Sequence, residues 1–322
     1  MHIHSRLAAA IGCIATLAMV GCAANGGSVT PATNTTLAAP DSVAAIPNGW
    51  HEQNGIMWTT PHYMPTRERA LSQAKKHPNE ALTYYGGAVE TTPSVVLILW
   101  GFKRYGDPDN VGSLLTTYQS NMGGSGHNNI YTQYYQGSGG SQTFITNPAS
   151  QLVKVYNYKK KAPLAPSGAQ MAQVAVTVAN KLNLGTGINT SYVVVAPYHH
   201  DPAGFLSQGW CAYHSTARAN SGTISWTNLP YMPDGGSSCG ANIIGAPSDE
   251  SAADEGVTIV EGHEQGESVT DPIPGAGWYS GSYGEIGDMC AWQNIQNDPF
   301  GTYSFTMQPM WSNASSSCVH SY

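Results

Sequence analysis

Two continuous apolar runs mark the centre of the predicted fold. Residues 94–100 read SVVLILW between Pro93 and Gly101, and residues 192–197 form a second run. Short apolar runs bounded by proline or glycine are typical of strands that are buried on both faces. We therefore predict that these two segments form central strands of one sheet.

Weaker patterns surround these runs. Apolar residues at spacings of three and four across residues 169–184 predict a helix. Three further segments have the composition of strands: residues 142–146, 152–156 and 224–231. Because helices and strands are interleaved without an internal repeat, residues 84–322 are predicted to form one α+β domain with a mixed sheet.

The chain begins with the pattern of an export signal. Its first 24 residues contain Arg6 and no acidic residue, and their apolar run at 7–20 is too short to span a bilayer. The small residues at 21–24 suit cleavage of a signal peptide, whereas Cys22 also suits the lipidated cysteine of a lipoprotein. We predict a protein outside the cytoplasm, either secreted or lipid-anchored at the cell surface or outer membrane.

Residues 25–83 separate the signal from the predicted domain. Residues 25–47 have too little apolar surface to offset the entropy of ordering, which predicts a disordered linker. Residues 48–83 lack a clear period, and two interpretations stay open: an ordered N-terminal extension or a pro-segment that is removed. No stretch beyond the signal reaches 18 apolar residues, so no membrane span is predicted.

Charge and cysteine content narrow the class of protein. Removal of the signal takes one of 13 basic residues and none of 20 acidic residues, and the resulting charge of −8 argues against nucleic acid as a partner. Four cysteines remain in an oxidising compartment, where three pairings are open. We favour Cys211 with Cys239 and Cys290 with Cys318, because each closes a local loop of similar size.

The candidate chemistry lies in residues 254–270, a segment with an acidic start that an Asp-Pro pair ends. His263 and Glu267 are four residues apart, which places their side chains one turn apart on one helix face. An imidazole and a carboxylate that converge in this way can bind zinc. Glu264 is then placed to act as a general base on water that the metal activates.

Two features qualify the zinc hypothesis. Glu267 stands where the usual motif has His, so the site is more anionic and another divalent metal stays open. A third ligand must come from outside the helix, and we predict that it is Glu285. Asp288 is then predicted to hydrogen-bond a ligand, and the alternative in which Glu285 and Asp288 exchange these roles stays open. Glu261 projects about 160° around the helix from His263 and is predicted to be solvated or to cap a neighbour rather than to bind the metal.

The main alternative is a solvent-exposed charged helix. Gly262 and Gly266 argue against it, because each costs about 1 kcal/mol within a helix yet together they leave a smooth strip for close packing. His214 is predicted either to make an ordinary hydrogen bond or to stabilise the transition state near the metal. His199 and His200 are adjacent and point apart, so joint coordination is not expected. Five aromatic residues bracket Glu285 and predict either core packing or a substrate groove: Trp278, Tyr279, Tyr283, Trp292 and Trp311.

An ordered series of motifs carries a family resemblance. It comprises residues 84–89 (YYGGAV), 209–215 (GWCAYHS), 262–272 (GHEQGESVTDP) and 284–290 (GEIGDMC). In these segments the chain resembles the Exordium, or phosphate-induced protein, family and its secreted bacterial relatives. The resemblance covers roughly residues 84–322 and implies a disulfide-stabilised, zincin-like α+β domain, in which one helix backs a mixed sheet and another carries the active site. It also implies that His263, Glu267 and Glu285 are ligands and that Glu264 is the base.

These observations lead to the expectation of a monomeric, secreted, zinc-dependent endopeptidase. Its expected partners are peptide or protein substrates, with cell-wall polysaccharide as a second class. A non-catalytic cell-wall or carbohydrate-binding protein with a structural metal is the alternative. A metal-independent glycosidase with paired carboxylates ranks third.

Overall fold

The computed structural model describes residues 49–73, 80–245 and 247–322, which belong to one compact unit. The predicted signal at 1–24 and the predicted linker at 25–47 lie outside the described residues. Within the described ranges, no helix is long and apolar enough to cross a membrane.

Helices and strands alternate along the chain, as expected for the α+β class. The α-helices are α1 (Arg67–Gln73), α2 (Phe102–Tyr105), α3 (Val111–Met122), α4 (Gly126–Asn129), α5 (Gly168–Leu182) and α6 (Glu255–Thr270). The first strands are β1 (Trp50–Gln53), β2 (Ile56–Thr59), β3 (His62–Pro65), β4 (Thr83–Tyr84), β5 (Ser94–Trp100), β6 (Tyr135–Gln136), β7 (Thr143–Phe144) and β8 (Leu152–Tyr158). The remaining strands are β9 (Thr190–Val195), β10 (Trp210–Ala219), β11 (Gly222–Leu229), β12 (Trp278–Tyr279), β13 (Gln296–Phe300), β14 (Tyr303–Met307), β15 (Met310–Ser312) and β16 (Ser317–Val319).

The largest sheet is mixed, which confirms the predicted sheet type. Its strands follow the order β1-β2-β10-β11-β9-β5-β8, and β3 also pairs with β10. The strands β11, β9, β5 and β8 run parallel, whereas β10 is antiparallel to its neighbours. The two apolar runs form the central strands β5 and β9, because only strands covered on both faces can bury continuous apolar sequence.

Helices cover both faces of this sheet. Helix α5 packs on one face, and helices α3 and α6 pack on the other. Side chains of β10 alternate between these faces: the hydroxyl of Tyr213 points at Gly168 of α5, while His214 reaches α6. The alternation of β10 therefore aims His214 at the predicted metal-binding helix.

The segment before residue 84 contributes to the same sheet. The hairpin β1–β2 and the strand β3 lie along one edge of β10. Residues 49–73 are thus an ordered part of the domain, and removal of this segment after export stays a prediction.

Two disulfides cross-link segments in the C-terminal half of the chain. The bonds join Cys211 to Cys239 and Cys290 to Cys318, which confirms the favoured pairing. Each bond closes a loop with a sequence separation of 28 residues, and loops of this size contribute roughly 3 to 4 kcal/mol to stability.

Candidate metal centre

Helix α6 is buried along its whole length. It ends at Thr270, as predicted, and the carboxylate of Asp271 accepts hydrogen bonds from the backbone N–H groups of Gly275, Ala276 and Gly277. All 16 residues of α6 are buried, so the alternative of a solvent-exposed helix is wrong.

The two helix glycines permit this burial. A β-carbon at Gly262 would collide with the methyl group of Met307 and the hydroxyl of Tyr118. A β-carbon at Gly266 would lie 3.0 Å from the hydroxyl of Tyr131. The strip of small residues predicted from the sequence therefore serves close packing.

The solvated alternative for Glu261 is wrong, because the side chain instead bonds to a neighbouring residue. Its side chain is fully buried, and its Oε1 accepts a hydrogen bond of 2.6 Å from Nε2 of Gln119 on α3. The angle around the helix was correct, but α3 covers that face of α6 and the sequence does not show this contact.

The C-terminal half of α6 meets the segment at residues 284–288. Nε2 of His263 lies 3.0 Å from Oε1 of Glu267, and the backbone N–H of Asp288 donates to the same oxygen at 3.2 Å. Gly287 allows this approach, since a β-carbon there would lie 2.7 Å from Nδ1 of His263. The side chain of Gln308 holds the segment by donating to the carbonyl of Gly287 at 2.9 Å.

Two strands bring further imidazoles to the same place. His62 on β3 lies directly opposite His214 on β10, and their ring centroids are 5.8 Å apart. Directly opposed residues of antiparallel strands project to the same face. Three imidazoles and four carboxylates therefore meet beside α6: His62, His214, His263, Glu264, Glu267, Glu285 and Asp288.

The contacts of the two strand histidines are distinct. His62 places Nδ1 3.3 Å from Glu285 Oε1 and Nε2 2.5 Å from Asp288 Oδ2. His214 places Nδ1 3.3 Å from Glu264 Oε2, and its Nε2 donates to the backbone carbonyl of Asp271 at 3.2 Å. His214 is fully buried, whereas the side chain of His62 is 28% exposed.

The carboxylates control the charge of the histidines. Burial disfavours the charged form of His214, but hydrogen bonds and charge interactions with Glu264 and Glu267 outweigh it and raise its pKa to about 10. Burial likewise opposes protonation of His62 and His263, while carboxylates that include Asp288 and Glu267 raise the pKa of each to about 9. The cluster thus attracts positive charge strongly.

The carboxylates respond in different directions. Burial raises the pKa of Glu285 well above its usual range, and the charges of Asp271 and Glu267 add to this. Burial also raises the pKa of Glu264, against the hydrogen bond with His214. At Glu267 burial is outweighed by His263 and His62, which hold its pKa well below the usual range. Glu267 is therefore the anionic centre of the cluster.

Several buried atoms of the cluster make no hydrogen bond with the described residues. They are both ring nitrogens of His263, Oε1 of Glu264, Oε2 of Glu267 and both carboxylate oxygens of Glu285. A buried polar atom without a partner costs about 1–3 kcal/mol, and a bound cation would satisfy carboxylate oxygens of this set and one deprotonated ring nitrogen of His263. The donor set of imidazole nitrogens and carboxylate oxygens fits zinc and other divalent ions.

Two groups of three residues have ligand atoms within 4.8 Å of one another. One group is His62, Glu267 and Asp288, and the other is His214, Glu267 and Glu285. His263 stands outside both groups, but its Nε2 contacts Glu267 and lies 3.8 Å from Asp288 Oδ1, next to the first group. The structure thus places all the predicted site residues in one cluster and adds His62.

A groove of about 900 Å³ reaches the cluster at His62 and Asp288. Tyr63, Trp210 and Tyr283 contribute aromatic side chains to its walls. Of the other predicted aromatic residues, Trp278, Trp292 and Trp311 are buried and pack in the core. The groove therefore gives access to the cluster on the side of His62 and Asp288.

Residues outside the cluster have ordinary partners. His199 is largely exposed and pairs with Asp234, and Nδ1 of His200 contacts the carbonyl of Pro163 at 2.8 Å. Neither belongs to a group of candidate metal ligands within the described part of the chain.

Comparisons with protein-family models, with curated proteins and with solved structures find no match to this chain. The interpretation of the centre therefore depends on its own geometry. His62 is the site residue that the sequence did not indicate, and its one local signal is a short strand pattern, His-Tyr-Met, between Pro61 and Pro65.

Proposed function

We propose that the protein is a metal-dependent hydrolase that cleaves peptide bonds, with Glu264 as the general base. The observation that carries this proposal is the buried cluster of imidazoles and carboxylates at one end of an open groove. Buried ionisable groups of perturbed pKa beside a groove are typical of catalytic sites.

The groove side of the cluster is suited to hold the ion. His263 and Glu267 come from α6, and His62 and Asp288 reach the same place from β3 and the 284–288 segment. A divalent ion bound there would lower the pKa of water and polarise a substrate carbonyl. Zinc is the preferred candidate, and the four-residue donor set also suits other divalent ions.

Glu264 is positioned to move a proton. Its Oε2 lies 3.3 Å from His214, while its Oε1 makes no hydrogen bond with the described residues. His214 is in turn oriented by the carbonyl of Asp271. One carboxylate oxygen is thus fixed and the other is free to accept a proton.

The shape of the groove favours an extended peptide. Strand β3 pairs with β10 and with no other described strand, and His62, Tyr63 and Pro65 of β3 line the groove. An extended backbone can add to a strand that has a free edge, with side chains in flanking pockets. The aromatic walls would contact those side chains.

The test compares two buried glutamates of α6. Glu264→Gln should lower kcat on a mixed peptide library by about 10²–10⁴-fold while bound metal is retained. Glu261→Gln is the matched control, because Glu261 is equally buried but bonded to Gln119, and it should keep activity. Chelation should abolish cleavage and added Zn²⁺ should restore it.

Full cleavage by the Glu264→Gln variant would refute the role of Glu264. Bound metal without any peptide cleavage by the unmodified protein would favour the alternative, a wall- or carbohydrate-binding protein with a structural metal.

A further inference from the structure

Glu267 directs its two carboxylate oxygens toward different imidazoles. Oε1 lies 3.0 Å from Nε2 of His263, and Oε2 lies 3.5 Å from Nδ1 of His214. The two oxygens thus belong to different parts of the cluster.

Glu285 repeats this arrangement. Its Oε1 lies 3.3 Å from Nδ1 of His62, and its Oε2 lies 3.4 Å from Nε2 of His214. Both oxygens are buried and make no hydrogen bond with any described residue. Two carboxylates therefore stand between a groove side, with His62 and His263, and an inner side, with His214.

The inner side has the composition of a site in its own right. His214, Glu267 and Glu285 offer three ligand atoms within 4.8 Å of one another, and the groove-side group shares only Glu267 with them. Three protein ligands are the number that catalytic zinc sites commonly use.

The position of the His214 ring directs Nδ1 toward the carboxylates of the inner side. A carbonyl oxygen only accepts hydrogen bonds, so Nε2 of His214 carries the proton that it donates to Asp271. Nδ1 then faces Oε2 of Glu264 and Oε2 of Glu267, at 3.3 and 3.5 Å. These two oxygens favour a positive charge beside Nδ1; a proton on Nδ1 supplies it in the metal-free protein, and a bound cation would displace that proton. The backbone carbonyl that fixes the ring is the usual support of a metal-binding histidine.

We propose that the centre binds two divalent ions, one on the groove side and one on the inner side, with the carboxylates of Glu267 and Glu285 shared between them. This inference rests on the metal-binding part of the proposed function and adds a second ion to it. Carboxylate-bridged pairs of ions are a known arrangement in hydrolases.

The experiment loads the purified protein with Mn²⁺ alone and measures both metal content and the electron paramagnetic resonance spectrum. We expect two Mn²⁺ per chain and an exchange-coupled spectrum. His62→Ala and His214→Ala should each reduce the content to one Mn²⁺ with the six-line signal of an isolated ion. His199→Ala is the control for surface binding, because His199 is exposed and outside the cluster, and it should retain two.

Each other result has a defined meaning. One Mn²⁺ per unmodified chain would overturn the second ion and leave the proposed function standing. Two Mn²⁺ without exchange coupling would overturn the shared carboxylates, and no bound Mn²⁺, Zn²⁺ or Co²⁺ would overturn both proposals. If an alanine variant fails to fold, Glu285→Gln, which keeps the side-chain volume, should still weaken the coupling.

Discussion

Strand β9 and helix α6 are both completely buried, but burial has opposite energetic consequences in the two elements. Strand β9 places Tyr192, Val193, Val194 and Val195 in the apolar core, where each buried side chain contributes roughly 1.5–3 kcal/mol. Helix α6 instead buries five ionisable residues: Glu255, Glu261, His263, Glu264 and Glu267. Buried ionisable groups cost free energy unless they are paired or bind metal. The comparison teaches that β9 stabilises the fold, whereas α6 buries ionisable groups whose cost the rest of the fold must offset.

The largest expected effect is that of Glu267→Gln on α6. Both groups of candidate ligands include Glu267, so the change should weaken metal binding by more than about 100-fold and abolish cleavage. Calorimetric titration with Zn²⁺ and peptide hydrolysis measure these effects. If this variant bound Zn²⁺ as tightly as the unmodified protein, the proposal that α6, unlike β9, contributes metal ligands would be contradicted.

A change in β9 should have the complementary effect. Val193→Ala removes buried methyl groups from the core and should lower the free energy of unfolding by about 2 kcal/mol. Denaturant unfolding measures this loss. Metal content and kcat should stay unchanged under native conditions, and a parallel loss of metal would show that β9 also serves the centre.

A smaller effect is expected from the glycine strip of α6. Gly262→Ala should cost about 1–3 kcal/mol through overpacking against Met307, partly offset by a gain of about 1 kcal/mol in helix propensity. Gly266→Ala is the matched comparison and should be milder, because its nearest neighbour is a side-chain hydroxyl at 3.0 Å. Urea unfolding of both variants compares them, and equal stability of the two would contradict the packing argument.

The last expected effect is a dependence of stability on pH, and it concerns a carboxylate beside the first half of α6. Burial raises the pKa of Glu250 to about 8, despite hydrogen bonds from the backbone N–H of Thr306 and the hydroxyl of Thr258. Between the ordinary pKa of 4.5 and about 8, the folded protein keeps a proton that the unfolded chain has released. Stability should therefore fall as pH rises through this window, by at most about 1.4 kcal/mol per pH unit.

Glu250→Gln removes the titrating group and should flatten this part of the stability profile. Thermal unfolding at a series of pH values measures the slope. A variant with the same slope as the unmodified protein would assign the pH dependence to other groups.

Elements whose formation depends on the residues of a single segment could be predicted from the sequence. The apolar run of β5 matches the structure at both ends, and the predicted helix at 169–184 corresponds to α5. The four-residue spacing of His263 and Glu267 correctly placed their side chains on one face of α6. In each case the periodicity of one segment carries the information.

The rest of the centre depends on contacts between distant segments. His62 joins it because β3 pairs with β10 in the register that opposes His62 and His214, 152 positions away along the chain. Glu261 is buried because α3 covers it. A single sequence shows neither the pairing partner of a short strand nor the neighbour of a helix face, so these features could not be predicted.

The pairing of β3 with β10 also determines when the proposed metal centre can form. The groove-side donors lie between residues 62 and 288, and a chain still being made has no complete set until residue 288 has emerged and β3 has docked. Contacts between such distant segments form late in folding. An ion bound as proposed would therefore be taken from the metals present where the chain completes its folding.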